Sequence, residues 1–317
     1  MPGHGQPKEL DAVRRGGKAG LARALADLET APDGPRSIAL LDAAYRAPMG
    51  EVIGVTGPPG VGKSTLLGRM IGKFRVEGRR VGVIAVDPSS RRSGGALLGD
   101  RLRLVTDPED PDVFVRSVAA RDRLGGLAEG TFAAMTLMRA LYDVVLIETV
   151  GVGQSETEVA GLSDSVIFCV QPASGDSLQF MKAGIVEVPH IAVVNKADLG
   201  ASATRALADL KGALSLAVDG GEDTWPVAVF ALSASSGLGL DPLMEALRRR
   251  AEWLDGNGRR ATLRAQQAEA WLRDSLRERF GSEGLRKVAA LGLDLRLSNH
   301  DTPFARLAEI VRRLLDQ

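Results

Sequence analysis

The chain of 317 residues carries 40 Lys and Arg against 40 Asp and Glu, so its formal net charge is zero and it lacks the basic excess that favours nucleic acid or anionic lipid. A hydrophobic content of 44% with 25% charged residues excludes a largely disordered chain. One cysteine and three histidines exclude an internal disulfide framework and a cysteine-built zinc cluster, and aromatic residues at 4% are too sparse for stacking along single-stranded nucleic acid.

Residues 8–46 read as helical. Leu10 and Val13 begin an apolar face, Leu21, Leu25 and Leu28 continue it past the Gly16-Gly17 break, and a Pro/Asp/Gly cluster at 32–35 separates a second helix through Ile38, Leu41 and Tyr45. From residue 51 the texture changes to short apolar runs: EVIGVT (51–56), VGVIAV (81–86), VFVRS (113–117), DVVLIE (143–148), SVIFCV (165–170), HIAVVN (190–195) and PVAVFAL (226–232). Near-continuous apolar runs separated by helical segments mark strands buried on both faces, which predicts an α/β fold with a doubly wound, mostly parallel sheet over 51–250. Residues 259–317 return to helix, with Ala265–Phe280 rich in helix formers. A final helix opens at Asp301-Thr302-Pro303 and carries the stripe Phe304, Leu307, Ile310, Val311, Leu314 and Leu315. The expected division is a helical extension at 1–50, a nucleotide-binding domain at 51–250 and a helical region at 251–317. No apolar run approaches the ~20 residues of a membrane span, and the N-terminal stretch has no continuous apolar core of a secretory signal. A cytoplasmic protein with neither membrane nor nucleic acid as partner is expected.

Directly after the first buried run stand Gly57, Pro58, Pro59, Gly60, Val61, Gly62, Lys63 and Ser64, the pattern G-x-x-x-x-G-K-[ST], with Thr65 continuing into a helix. A polyphosphate concentrates negative charge. Glycines let successive backbone N–H groups curl around it without Cβ clashes, and the following helix adds its free N–H groups and dipole. Lys63 can reach the β- and γ-oxygens, and Ser64 can ligate Mg²⁺. The chain uses 8 lysines against 32 arginines, so a lysine here keeps a compact point charge where arginine is otherwise the default.

Asn195-Lys196-Ala197-Asp198 follows the run HIAVV and matches the guanine-reading pattern N-K-x-D. A carboxylate at Asp198 accepts from guanine N1–H and the exocyclic amine; adenine offers neither, so GTP and GDP are expected over ATP. Ser233-Ala234-Ser235, after PVAVFAL, is placed to bring a backbone N–H to the guanine carbonyl. Glu148 closes the run DVVLI as a magnesium partner, and Gly151 offers an N–H to the γ-phosphate as the basis of a switch. Asp87 ends VGVIAV, where it would orient the attacking water or bind metal; Asp100 would join the Mg²⁺ shell, and Arg103 would offset charge on the transferring phosphate. Lys63, Asp87, Arg103 and Glu148 form the expected catalytic set.

Together GVTGPPGVGKSTL, AVDPSS-x3-GG-x-LLGDR, LIETVGVGQSE and NKAD resemble the MeaB/ArgK/MMAA-type G proteins, of the signal-recognition-particle/MinD-like class of P-loop GTPases. RRGGKAGLARALADLE is similar to the family's N-terminal helix and GDSLQFMKAGIVEV to its third switch segment. The resemblance implies a GTPase chaperone that gates cofactor delivery to, and protects or reactivates, an adenosylcobalamin-dependent acyl-CoA mutase, typically methylmalonyl-CoA mutase. It also implies a homodimer with C-terminal elements contributing. By resemblance Asp87, Asp100 and Glu148 match acidic switch positions, Arg103 a switch I arginine, and Lys182 a switch III lysine coupling nucleotide state to the partner surface. The chain departs from the family at Pro172-Ala173-Ser174-Gly175-Asp176-Ser177-Leu178-Gln179, where P-G-A-G-D-E-L-Q is common, and at Arg121-Asp122-Arg123 before Leu124-Gly125-Gly126, where the family commonly carries Arg-Gly before LGG. Val152 follows Gly151 and the nearest glutamine, Gln154, is displaced, so slow intrinsic turnover accelerated by a bound partner is expected. A nickel metallochaperone of the same fold class would need His- or Cys-rich ligands. A small-molecule or transport-protein kinase would move the γ-phosphate to an acceptor.

Overall fold

Runs too apolar to face water on either side end up in the middle of a layered structure. In the computed structural model, which describes residues 8–88, 107–120, 129–149, 158–172, 189–217, 224–298 and 300–316, seven of them form one parallel sheet. The strands are β1 (Glu51–Thr56), β2 (Val81–Pro88), β3 (Val113–Ala120), β4 (Val144–Glu148), β5 (Ser165–Val170), β6 (Ile191–Val194) and β7 (Ala228–Ala231), in the order β3-β2-β4-β1-β5-β6-β7. Every pairing is parallel. The expected α/β, doubly wound parallel sheet is therefore the fold. Five strands differ in their limits from the expected runs, and two show a local reason. β3 runs on to Ala120 because its register with β2 continues to Pro88↔Ala120. β7 is short and half-buried, as suits an edge strand with one neighbour.

The chain divides into two compact units, one of Glu51–Ala128 with Asp143–Arg259 and one of Met1–Gly50, Glu129–Tyr142 and Arg260–Gln317. The first holds the sheet. The two-residue period of a strand sends Ile167 and Cys169 to one face and Phe168 and Val170 to the other. The first face packs on α4 (Lys63–Val76) and α7 (Leu240–Asp255) through Leu66, Met70, Phe74, Leu243 and Leu247. The second packs, around β5 and β6, on α6 (Ala201–Ala217) through Ala203, Leu210 and Leu214.

At the start of β6, His190 sits where the sheet buries a titratable ring. Its Nδ1 accepts from the Val166 N–H at 3.0 Å, and its carbonyl accepts from Trp225 Nε1 at 3.0 Å. Burial first, and the Arg250 cation second, push its pKa from 6.5 down to about 3 against the weaker pull of Asp164. The unfolded chain protonates near pH 6.5 while the folded one does not, so this histidine favours unfolding as pH falls from there toward 3. Between pH 7 and 5 the wild type is expected to lose about 2 kcal/mol more than His190→Asn does. Urea unfolding at the two pH values checks it; equal losses would remove His190 from the acid response.

The second unit is helical: α1 (Lys8–Arg15), α2 (Gly17–Thr30), α3 (Pro35–Arg46), α5 (Glu129–Arg139), α8 (Arg259–Ala290, in this unit from Arg260) and α9 (Pro303–Leu315). Phe132 stacks on Trp271 with ring centroids 4.8 Å apart, and Phe304 closes on Trp271 at 4.9 Å. Thr302 occupies the N-cap of α9, but its own hydroxyl does not close the cap. The carboxylate of Asp42, on α3, does so instead: it accepts from the Thr302 hydroxyl and from the Ala305 N–H at 3.3 Å. Burial raises the Asp42 carboxyl above its usual range, while these two bonds and Arg46 pull the other way. Arg279 adds a two-bond pair with Asp33 at 2.9 and 3.0 Å. Among the described residues no helix is long and apolar enough to cross a membrane.

Candidate nucleotide-binding site

Chain direction places the polar loops at one edge. β1 lies between β4 and β5, so the carboxyl ends of β4, β1, β5, β6 and β7 stand in a row. Glu148, the loop after Thr56, Gln171, Asn195 and Ser233 follow those ends in that order. A crevice beyond the carboxyl ends of parallel strands is the usual ligand position of such sheets.

Between β1 and α4 the backbone turns through conformations that side chains resist. Gly57 has φ +136°, and a Cβ there would lie 2.1 Å from the Cys169 carbonyl oxygen of β5. Gly62 has φ +93°, and its Cβ would meet Asn195 Nδ2 at 2.5 Å. Lys63, the first residue of α4, is buried, and its Nζ donates to the Gly57 carbonyl at 2.7 Å and the Pro58 carbonyl at 3.1 Å. The ammonium thus lies inside the curve of the loop rather than in solvent. Pro59, Gly60 and Thr65 are exposed, whereas Pro58 and Val61 are buried. Behind the loop, burial pushes the Cys169 thiol up to about 12, against the Lys63 cation, so it is held protonated.

Ser64 Oγ donates to Glu148 Oε1 at 2.7 Å. The two residues are 84 apart in sequence. They are hard oxygen donors of the kind Mg²⁺ takes, and they fit that ion. Glu148 pairs in register with Ala85 of β2, so Asp87 stands two positions further along the neighbouring strand. Beneath them the Thr149 hydroxyl donates to Thr56 Oγ1 at 2.8 Å, both fully buried.

Asn195 is the brace of the site. It is 3% exposed, and its Nδ2 donates to the Val61 carbonyl at 2.7 Å. Its Oδ1 accepts from the N–H of Lys196 at 2.8 Å and of Ala234 at 2.9 Å. One amide therefore joins the phosphate loop, its own turn and the Ser233-Ala234-Ser235 loop. Lys196, at φ +60°, sends Nζ over the Gly60 carbonyl at 3.0 Å and onto Gln171 Oε1. Asp198 follows on a short turn, exposed to solvent. Asp100, Arg103, Gly151, Gln154 and Lys182 lie outside the described residues.

Three participants carry no role in the sequence reading. Gln171 holds Lys196, Thr149 ties β4 to β1, and Arg69 of α4 donates to the carbonyls of Ala234, at 3.0 Å, and Ser235. A polar residue directly beyond a buried strand is the sequence signal that would have flagged the first two; Arg69 carries no such signal.

With this geometry in hand, comparison with known proteins is direct. The GTPase ArgK of Escherichia coli (strain K12) is 38% identical over 280 residues, 86% of this chain and 83% of that protein. The methylmalonic aciduria type A homolog, mitochondrial, of Mus musculus is 38% identical over 71% of this chain and 55% of its own length. The crystal structure of LAO/AO transport system kinase superposes with a TM-score of 0.68 at 30% identity, covering 98% of this chain and 99% of that one. Residues 21–287 match the family model described as methylmalonyl Co-A mutase-associated GTPase MeaB, and the chain belongs to that family of P-loop GTPases.

Proposed function

We propose that this GTPase binds GTP with Mg²⁺ in the crevice and acts as a nucleotide-gated chaperone of an adenosylcobalamin-dependent acyl-CoA mutase such as methylmalonyl-CoA mutase, gating cofactor delivery and protecting or reactivating the enzyme. The observation that carries the reading is the convergence of phosphate loop, Glu148 and guanine motif on one edge, in a chain of a family described as mutase-associated. The mouse relative's name, with its methylmalonic aciduria, agrees with a partner that acts on methylmalonyl groups. The division into 1–50, 51–250 and 251–317, a homodimer using the last region, and a cytoplasmic location belong to the same proposal.

The loop from Gly57 to Ser64, with Thr65, holds the triphosphate, and Lys63 lies along its β- and γ-oxygens. Ser64 and Glu148 hold Mg²⁺, which when bound neutralises charge on the phosphates. Asp198 accepts from guanine N1–H and the amine. Asp87 orients the water whose oxygen attacks the γ-phosphorus as the bond to the β-phosphate breaks, giving GDP and inorganic phosphate. By family resemblance Asp100 and Arg103 complete the charge compensation, the Gly151 N–H senses the γ-phosphate, and Gln154 and Lys182 relay that state outward.

Single-turnover hydrolysis by the isolated protein is expected to be slow and to accelerate on adding the mutase. Equal rates with and without it, or fast turnover alone, would sink the chaperone reading. Asp198→Asn is expected to weaken GDP at least about tenfold and to admit xanthine nucleotides, because part of the acceptor becomes a donor. Calorimetric titration with both diphosphates checks it, and an unchanged preference would remove Asp198 from base recognition.

A further inference from the structure

Arg69 lies on the helix that begins with Lys63, and its guanidinium holds the carbonyls of Ala234 and Ser235. In a planar trans peptide the C=O and N–H point opposite ways. The Ala234 carbonyl and the Ser235 N–H share one peptide unit, so a donor gripping the first aims the second away from itself. The following unit is fixed in the same manner through the Ser235 carbonyl.

The hydrogen bonds of this loop single out that N–H. Ser233 N–H donates to the Leu238 carbonyl at 2.9 Å, Ala234 N–H to Asn195 Oδ1 at 2.9 Å, Ser236 N–H to Ser233 Oγ at 3.4 Å and Gly237 N–H to the Ser233 carbonyl at 2.8 Å. Among the described residues, only the Ser235 N–H of this run has no acceptor. A backbone N–H that is fixed yet uncommitted is what a carbonyl-reading site requires. The loop is gripped from two sides, by Asn195 of the guanine motif and by Arg69 of the phosphate-binding helix.

We infer that Arg69 is a positioning residue for guanine specificity, presenting the Ser235 N–H to the carbonyl oxygen of the base. The inference rests on the GTP reading above. A guanidinium suits the task because its planar fork spans two neighbouring carbonyls, which a lysine point charge does not.

The test uses full-length protein and three diphosphates. 6-Thioguanosine diphosphate keeps N1–H and the amine but offers a sulfur, a weaker acceptor, at the position read by Ser235. Inosine diphosphate keeps the carbonyl and N1–H but lacks the amine read by Asp198. Arg69→Ala is expected to weaken GDP and inosine diphosphate each about tenfold and the thio analogue less. The preference for GDP over the thio analogue then shrinks while that over inosine diphosphate stays. Arg69→Lys is expected to restore part of the contrast, and it carries the test alone if the alanine variant melts before the wild type without nucleotide. Unchanged GDP affinity, or equal losses for all three ligands, would overturn the proposal. Wild-type protein that fails to prefer GDP over ADP would instead sink the guanine assignment itself, and this inference with it.

Discussion

Gly57→Ala is expected to abolish guanine-nucleotide binding. Two independent obstacles meet at that residue. Its φ of +136° is a backbone conformation that side chains rarely adopt, and the new methyl would stand 2.1 Å from the Cys169 carbonyl oxygen. The obstructing atom is backbone in the interior strand β5, fully buried, so it cannot swing aside as the end of a flexible side chain would. Relief has to come from the loop, whose Gly57 and Pro58 carbonyls hold Lys63. Strain and overlap together cost about 3 kcal/mol or more, enough to move the loop off its track and the ammonium with it. Calorimetry with GDP should show no heat, and the melting temperature should fall. A variant that titrates like the wild type would mean that the phosphates sit elsewhere.

Asn195→Ala should act nearly as strongly from the other side of the crevice. The truncation removes the partner of the Val61 carbonyl and of the Lys196 and Ala234 N–H groups. Buried groups left without partners cost roughly 1–3 kcal/mol each, so several kcal/mol of stability and about a hundredfold or more in guanine-nucleotide affinity are expected to go together. Asn195→Asp separates the contributions. It keeps the two accepted bonds but turns an oxygen toward the Val61 carbonyl, so the phosphate loop suffers while the base loop keeps its anchor. Denaturant unfolding and GDP titration on both variants give the answer. A destabilised Asn195→Ala that still binds GDP normally would reduce the residue to a structural brace.

The sheet was legible because burial on both faces leaves a plain mark in composition. SVIFCV and EVIGVT could not have faced water, and both are strands at their expected limits. Register lengthened β2 and β3 and left β4, β6 and β7 shorter than their runs. Asp143 precedes β4 and pairs with the Arg80 side chain, which holds its carboxyl below the usual range. The helix expected at Ala265–Phe280 belongs to a longer one that runs past Gly281, where φ +67° interrupts the regular backbone. Within the candidate site, the loops after the strands were visible as motifs, because glycine at a left-handed turn and a carboxylate at a strand tip are local requirements. What ties those loops together was not visible. The amide of Asn195 reaches a carbonyl 134 residues away, and Arg69 reaches one 165 residues away. Such bonds impose no periodicity, and any polar side chain with enough reach looks the same in a sequence. The joining of the first and last helices into one unit was hidden for the same reason: an apolar stripe announces that it will be covered, not by what.

The Asp42 cap on α9 fixes an order of events during translation. Asp42 and Thr302 are 260 residues apart, and at roughly 5 to 20 residues per second a ribosome needs about 13 to 52 s to travel between them. Over that interval the apolar side of α3, with Leu40, Leu41 and Ala44, awaits its last neighbour, while every strand of the sheet, from β1 to β7, is synthesised. A nascent chain can therefore hold every strand of the sheet before the cap that joins α3 to α9 can close.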